Sequence, residues 1–249
     1  MKIINSMGKK LEIDNLDKWF ELCPPQKKEV HWKDYRSAKE MAKFWLNQDN
    51  CNDFQKFIRK SIPVFNFEYI IPEFESKFDG YPSPRKHDLY ISEKSNKAII
   101  TVEGKADEPF GNKNFGEYFI KAIETKIENK KSAALDRVAN LYLNYFYGNG
   151  NILNIMYQLS YWYAGSLVDA IKADTENFIM VLQEFKSNET DSEKIKKNHI
   201  EFNEFIEFIT DAKYKHIENN EIIGPIAKAY TNDKYKNLYI GYYSIELQK

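Results

Sequence analysis

In HDLYISEKSNKAIITVEGKADEPFG, residues 87–111, two carboxylates and an ammonium stand at the ends of what reads as a β-hairpin. Asp88 opens the first arm; Glu103, Gly104 and Lys105 close the second. Side chains alternate along a strand, so Glu103 and Lys105 share a face with Gly104 between them. A hairpin brings Asp88 alongside Glu103. Two carboxylates converging in a cleft repel each other, and a hard divalent cation relieves that repulsion. Mg²⁺ takes oxygen ligands and keeps several waters, so two carboxylates, a backbone carbonyl and waters compose a shell. A lysine beside such a metal orients or deprotonates a bound water, or stabilises charge developing on a phosphate. These are the parts that metal-assisted phosphodiester hydrolysis needs. The competing reading is a surface salt bridge at a strand terminus, and pattern alone leaves both open.

The tripeptide pattern E/D-x-K is weak by itself. It begins at Glu75, Glu103, Glu124, Glu128, Glu184 and Asp211. Glu124 and Glu128 fall in a helical stretch, where i and i+2 do not face each other. Asp211 closes a helix, and Glu75 sits in a turn-rich region. Of the two at strand ends, Glu103 and Glu184, only Glu103 has an upstream acid that opens a paired strand.

The elements that must position this set follow from spacing. RSAKEMAKFWL carries Ser37 and, three residues on, Glu40, which reads as a capping box before a helix. A second short helix is predicted over 53–60, ending before Pro63. VFNFEYII (64–71) is rich in aromatic and β-branched residues and reads as a strand. The turn-rich FDGYPSPRK then leads to strands 88–92 and 98–103, joined by the polar EKSNK. Residues 115–147 look mostly helical with breaks, and YGNGN (147–151) reads as a loop. Apolar residues from Ile152 to Ile171 trace one face of a long helix. NFIMVLQEF (177–185) reads as a buried strand and SNETDSEKIKKN as a polar surface loop. Phe202 to Ile209 mark another helix, and NLYIGYYSIEL a late strand. No repeat, low-complexity tract or linker divides the chain, so one α/β domain over 1–249 with a helical insertion is expected.

D-x(n)-E-x-K across a hairpin, after an N-terminal helix and before further helices, resembles the PD-(D/E)XK nuclease superfamily. The chain is also similar to a bacterial family assigned to that superfamily, through CPP (23–25), HWKD (31–34), RSAKE (36–40), HDL (87–89), EGKADEPFG (103–111) and YQL (157–159). The likeness runs from about residue 19 to 186. It implies a restriction-endonuclease-like core: a mixed central sheet flanked by helices, with N-terminal helices at about 37–60 and extra helices at about 115–172. It implies a Mg²⁺- or Mn²⁺-dependent nuclease, acting on DNA, with a role in restriction or defence. Carried over by position, Asp88 and Glu103 bind the metal, the Gly104 carbonyl completes the shell, and Lys105 acts on the water or the phosphate. Glu40 is the candidate for the glutamate that the superfamily often adds from its first helix. Gln158 and Tyr161 match a Gln and a Tyr that some members place near the site. One departure stands out: His87 occupies the position that the family name gives to proline.

Each accessory residue also has a plainer reading. The capping box explains Glu40 fully. Gln158 fits a polar residue on a helix flank. His87 either contacts the scissile phosphate or is structural. Asp107 and Glu108 bind a second metal or cap the following turn. Arg85, Lys86 and Lys113 hold phosphates or are ordinary solvated charges. The aromatic run LYLNYFYGN (141–149) stacks bases or packs in the core.

Composition sets the bounds. The 249 residues carry a formal net charge of −1, which argues against nonspecific coating of nucleic acid but allows a local basic cleft, or a basic groove assembled by a homodimer. Apolar residues at 43% mark a globular chain with ample core. Cys23 and Cys51 have no paired spacing and read as reduced thiols of a cytoplasmic protein. MKIINSMGKKLEID lacks a signal-peptide core, and 152–171 is too polar to span a membrane. No phosphate-binding loop, nucleophile elbow or dinucleotide fingerprint is present. Two rival readings follow from the same residues: a nuclease-fold binding module without activity, and a phosphoesterase acting on a nucleotide or RNA.

Overall fold

Ala98–Lys105 (β4) is buried at every one of its 8 residues. A strand covered on both faces belongs inside a sheet. It lies between Arg85–Glu93 (β3), to which it pairs antiparallel, and Asn177–Lys186 (β5), to which it pairs parallel. The computed structural model describes residues 2–5, 10–77, 80–81, 84–128, 130–148, 151–231 and 234–247. Among these, Lys2–Ile3 (β1), Phe67–Ser76 (β2), Glu221–Thr231 (β6) and Lys234–Glu246 (β7) complete one mixed sheet in the order β1-β2-β3-β4-β5-β7-β6. The protein is an α/β structure with this sheet flanked by helices on both faces.

On one face pack Leu16–Leu22 (α1), Ser37–Leu46 (α2) and Gln48–Arg59 (α3). Their apolar sides meet Leu89, Ile91, Ile100, Val102 and Val181 around Trp45, Phe54 and Phe57. The other face carries Phe115–Ile127 (α4), Ala134–Leu141 (α5), Tyr157–Lys172 (α6) and Ser192–Ile209 (α7). These enclose Ile99, Met180 and Leu182 with Trp162, Phe202 and Phe205. Each central tryptophan also satisfies its indole N–H, Trp45 on Gln183 Oε1 and Trp162 on Thr101 Oγ1, both at 3.0 Å. Truncating either to alanine would cost about 3–5 kcal/mol. Among the described residues no helix is long and apolar enough to cross a membrane.

Several local expectations change. The Ser37–Glu40 capping box does not form. Arg36 is the N-cap and makes no side-chain cap; Glu40 turns back to accept the Tyr35 N–H at 2.9 Å. The second helix starts earlier than 53, because Asn47 accepts the amides of Asp49 and Asn50. The polar stretch 192–198 is not a loop but the start of α7, capped by Asp191 through the amides of Glu193 and Lys194. Its Glu and Lys residues are good helix formers, and the buried side of α7 begins at Asn198. The long helix begins at Tyr157 rather than 152, since Asn114 and Met156 form a β-bridge that holds the chain extended there. Phe78, Asp79, Pro82 and Ser83 of FDGYPSPRK, and Asn149 and Gly150 of YGNGN, lie outside the described residues.

Candidate active site

The expected β3–β4 hairpin is present, and in it Leu89 faces Val102 and Ser92 faces Ile99. At its open end the pleat changes phase. His87 reaches Asp169 of α6 on one face, while Leu89 packs with Ile91 and Val102 on the other. Residues two apart on a regular strand share a face, so the alternation slips at Asp88. On β2, Pro72 pairs Leu89 and Phe74 pairs His87, which sets Glu73 opposite Asp88. Glu73 itself has φ +50°, a left-handed conformation that costs a glutamate of order 1–3 kcal/mol.

The slip turns Asp88 toward Gly104. Asp88 Oδ2 accepts the Gly104 N–H at 2.8 Å. Gly104 pairs with Gln183 of β5, and any Cβ there would collide with the Met41 methyl from α2. Glu103 and Lys105 do share a face: Lys105 Nζ donates to Glu103 Oε1 at 3.0 Å. The Lys105 ammonium also lies 5.1 Å from the centre of the Phe110 ring. Gln158 of α6 donates to the same Glu103 oxygen, and Arg85 pairs with Oε2. Glu73, Arg85, Lys86, Asp88, Glu103, Gly104, Lys105, Gln158 and Tyr161 all line one cavity of about 810 Å³.

The electrostatics are uneven. Burial pushes Asp88 up to about 7, reinforced by repulsion from Glu103 and opposed by Lys105 and Arg85. Burial and the charge of Asp88 push Glu73 up to about 8. Burial also opposes ionisation of Glu103, yet Lys105 and Arg85 hold it below its ordinary value. Of these three acids, one is firmly ionised and two resist ionisation. Among the described residues no group of three or more His, Cys, Asp or Glu side chains is arranged as a metal shell. Mg²⁺ needs only one or two carboxylates besides water, and Asp88 with Glu103 supplies that number of hard oxygen donors.

The remaining candidates divide. His87 is buried away from the cavity; its Nε2 lies 3.1 Å from Asp169 Oδ2, and burial lowers its pKa despite that acid. Gly165 of α6 permits this approach, since a Cβ there would sit 3.2 Å from the imidazole. Glu40 is not in the cavity wall; it holds Tyr35 and Lys43. Glu108 reaches across to accept from Ser37, both N–H and Oγ, at 3.2 Å, and so caps α2. Asp107 pairs with Arg36. Both acids therefore tie the turn after β4 to neighbouring helices. Lys86 stands at the rim, 3.9 Å from Glu73 and Glu75. Lys113 lines a separate small cavity with Tyr118 and Lys121. In the aromatic run, Leu141 and Phe146 are core residues, whereas Tyr147 is 76% exposed.

Sequence reasoning missed Glu73, Ser37 and Met41 in the cavity wall. A register for β2 against β3 would have found Glu73, as the residue opposite Asp88. No curated protein and no solved structure matches the chain. Residues 12–247 match the family described as Domain of unknown function (DUF6946), and the chain belongs to that family.

Proposed function

We propose that this protein is a cytoplasmic, Mg²⁺- or Mn²⁺-dependent nuclease with a restriction-endonuclease-like core, which hydrolyses phosphodiester bonds in DNA and serves in restriction or defence. The observation that carries this reading is the convergence of Asp88, Glu103 and Lys105 in one cavity, with Lys105 Nζ 3.0 Å from Glu103 Oε1. Asp88 and Glu103 would hold the metal, whose chemistry when bound is Lewis-acid stabilisation of phosphate charge and acidification of a water. Lys105 keeps Glu103 ionised and presents a cation to the phosphate. Gln158 and Arg85 fix the Glu103 carboxylate from the other side, so its orientation is set before substrate arrives. The Gly104 amide does the same for Asp88.

A second reading has its own support. Arg85, Lys105 and Gln158 together engage both oxygens of Glu103, as an inert ion-pair knot in a binding module would. A cleavage assay separates the two. Supercoiled plasmid, linear duplex, single-stranded DNA and RNA are incubated with protein and Mg²⁺ or Mn²⁺, alongside Lys105→Ala and Asp88→Asn. Metal-dependent cutting that falls by about 10²–10³-fold in both variants is expected. Equal cutting by the variants, or none by any, removes the catalytic reading.

A further inference from the structure

One wall of the cavity is used by none of this chemistry. Between α1 and α2 the chain forms a strap, and Pro25, Gln26, Lys27, His31 and Trp32 from it line the same cavity as Asp88, Glu103 and Lys105. Trp32 is only half-buried and rests on Phe20, with ring centroids 5.3 Å apart. The other three tryptophans, Trp19, Trp45 and Trp162, are 3%, 1% and 0% exposed. Lys27, Lys28, His31 and Lys33 surround Trp32 in sequence and are exposed.

The strap is held in place at some cost. Lys28 and Tyr35 have φ +41° and +63°, conformations that non-glycine residues adopt only when the surroundings impose them. Its C-terminal end is pinned to α2. The Tyr35 N–H donates to Glu40 Oε1 at 2.9 Å, and Asp34 is gripped by Lys39 at 3.0 Å and Lys43 at 2.6 Å. This gives Glu40 its role: it fixes the strap and does not serve the acid cluster.

An aromatic face flanked by lysine and histidine suits a ligand that is planar and apolar in one part and anionic in the next. A nucleotide within a strand has that composition, and a cavity of about 810 Å³ is large enough for one. A base inside an intact duplex is stacked and cannot enter a cavity. We infer that Trp32 stacks on an unpaired nucleobase next to the scissile phosphate, with Lys27 on the adjoining phosphate, so that single-stranded nucleic acid is the favoured substrate. The inference rests on the nuclease reading of the Asp88 site for what happens after binding.

The four tryptophans make the test direct, because Trp32 alone has an open face; Trp19 also lines the cavity but is 3% exposed, and Trp32→Ala separates the two signals. Protein in EDTA is titrated with an oligonucleotide of about 12 residues and with a blunt hairpin duplex, following tryptophan fluorescence and, separately, anisotropy of a labelled strand. Expected are saturable quenching by the single strand and at least about 10-fold weaker binding of the duplex. Trp32→Ala should abolish the quench and weaken single-strand binding by about 10-fold or more, the equivalent of one lost base stack. Trp32→Phe should keep most of the affinity. Lys27→Ala, at an exposed position, should weaken binding and flatten its salt dependence. Quenching that Trp32→Ala removes, in a protein that never cuts, upholds the stacking site and overturns the nuclease reading alone. Cutting that Asp88→Asn abolishes, with Trp32→Ala binding as tightly as wild type, overturns the stacking site alone. Preference for duplex overturns it as well.

Discussion

Replacing Glu73 by glutamine tests the charge arrangement of the cavity without changing its shape. Glu73 moves from an ordinary 4.5 to about 8 on folding, first through burial and then through the neighbouring Asp88. Below about pH 4.5 the acid is protonated in both states and the glutamine variant gains nothing. As pH rises toward 8 the unfolded chain ionises Glu73 while the folded protein keeps its proton. The folded state then binds more protons than the unfolded state, and stability falls with rising pH. The loss is complete above about pH 8. At about 1.4 kcal/mol per pH unit the full difference approaches about 5 kcal/mol. The Glu73 side chain is 20% exposed, and solvent screening reduces this to roughly 3 kcal/mol. Glu73→Gln should therefore match wild type near pH 4.5 and exceed it by about 3 kcal/mol near pH 9, or very roughly 6–10 °C in Tm. Urea unfolding across that range in EDTA measures both ends. Adding Mg²⁺ near pH 9 should narrow the gap, since a divalent cation relieves the same repulsion. A difference that does not vary with pH, or a glutamine variant less stable near pH 9, would refute the assignment of a proton-holding acid pair at Glu73 and Asp88.

Other perturbations have simpler readouts. Glu108→Ala removes the carboxylate that accepts from Ser37 and from the Ala106 N–H at 2.7 Å, and should lower unfolding free energy by about 1 kcal/mol; an unchanged urea midpoint would show that the cap is dispensable. Burial pushes the Cys23 and Cys51 thiols up to about 12, so a thiol reagent at about pH 8 should label neither until urea is added; rapid native labelling of Cys23 would mean that the cavity opens that far. Gly104→Ala drives a Cβ into the Met41 methyl and should cost about 1–3 kcal/mol in the native background but much less when added to Met41→Ala, whose own core truncation is the reference; equal costs in the two backgrounds would locate the strain elsewhere.

Short-range patterns were legible and long-range ones were not. The β3–β4 hairpin could be read because apolar alternation and the polar EKSNK turn are local signals, and the pairing of Glu103 with Lys105 follows from the two-residue pleat. Gln158 was a candidate only through the family resemblance; apolar spacing marked its helix but not the contact with Glu103, which depends on how α6 packs on the sheet. Glu73 escaped because its place depends on the register of β2 against β3 and on a left-handed backbone that no local pattern announces. Glu40 misled for a related reason. Ser-x-x-Glu is a local signal, but Glu108, far along the chain, takes over the cap at Ser37 and releases Glu40 to hold the strap. The edge strand β6 went unread because Gly224-Pro225 interrupts EIIGPIAKAYT; the register shifts between Ile223 and Ile226, a break that an edge strand accommodates. In 192–198 composition outweighed periodicity: four charged residues in seven look like a loop, yet they make the solvent side of a helix.

The charge count in the cavity bears on which reading of Glu103 holds. Of the four acids in the cavity wall, Glu108 is taken up by Ser37 at the start of α2, and Glu73, Asp88 and Glu103 face two well-buried cations, Arg85 and Lys105, whose side chains are 10% and 7% exposed. Lys86 adds only a distant contribution from the rim, 3.9 Å from Glu73. A purely structural ion-pair knot gains most when its charges balance, because each uncompensated buried charge carries a desolvation cost. Here both buried cations engage Glu103, and the surplus acidity falls on Glu73 and Asp88, which keep their protons into the neutral range. The surplus sits where Asp88 meets the Gly104 amide, at the point where two strands leave regular pleating. A cation arriving there would displace protons and would not have to break the Arg85–Glu103 pair first. Metal uptake should accordingly release protons near pH 7 and do so less in Glu73→Gln, which a calorimetric titration in two buffers of different ionisation enthalpy would register. That behaviour belongs to a site built to receive a cation, and it would be absent from a balanced knot.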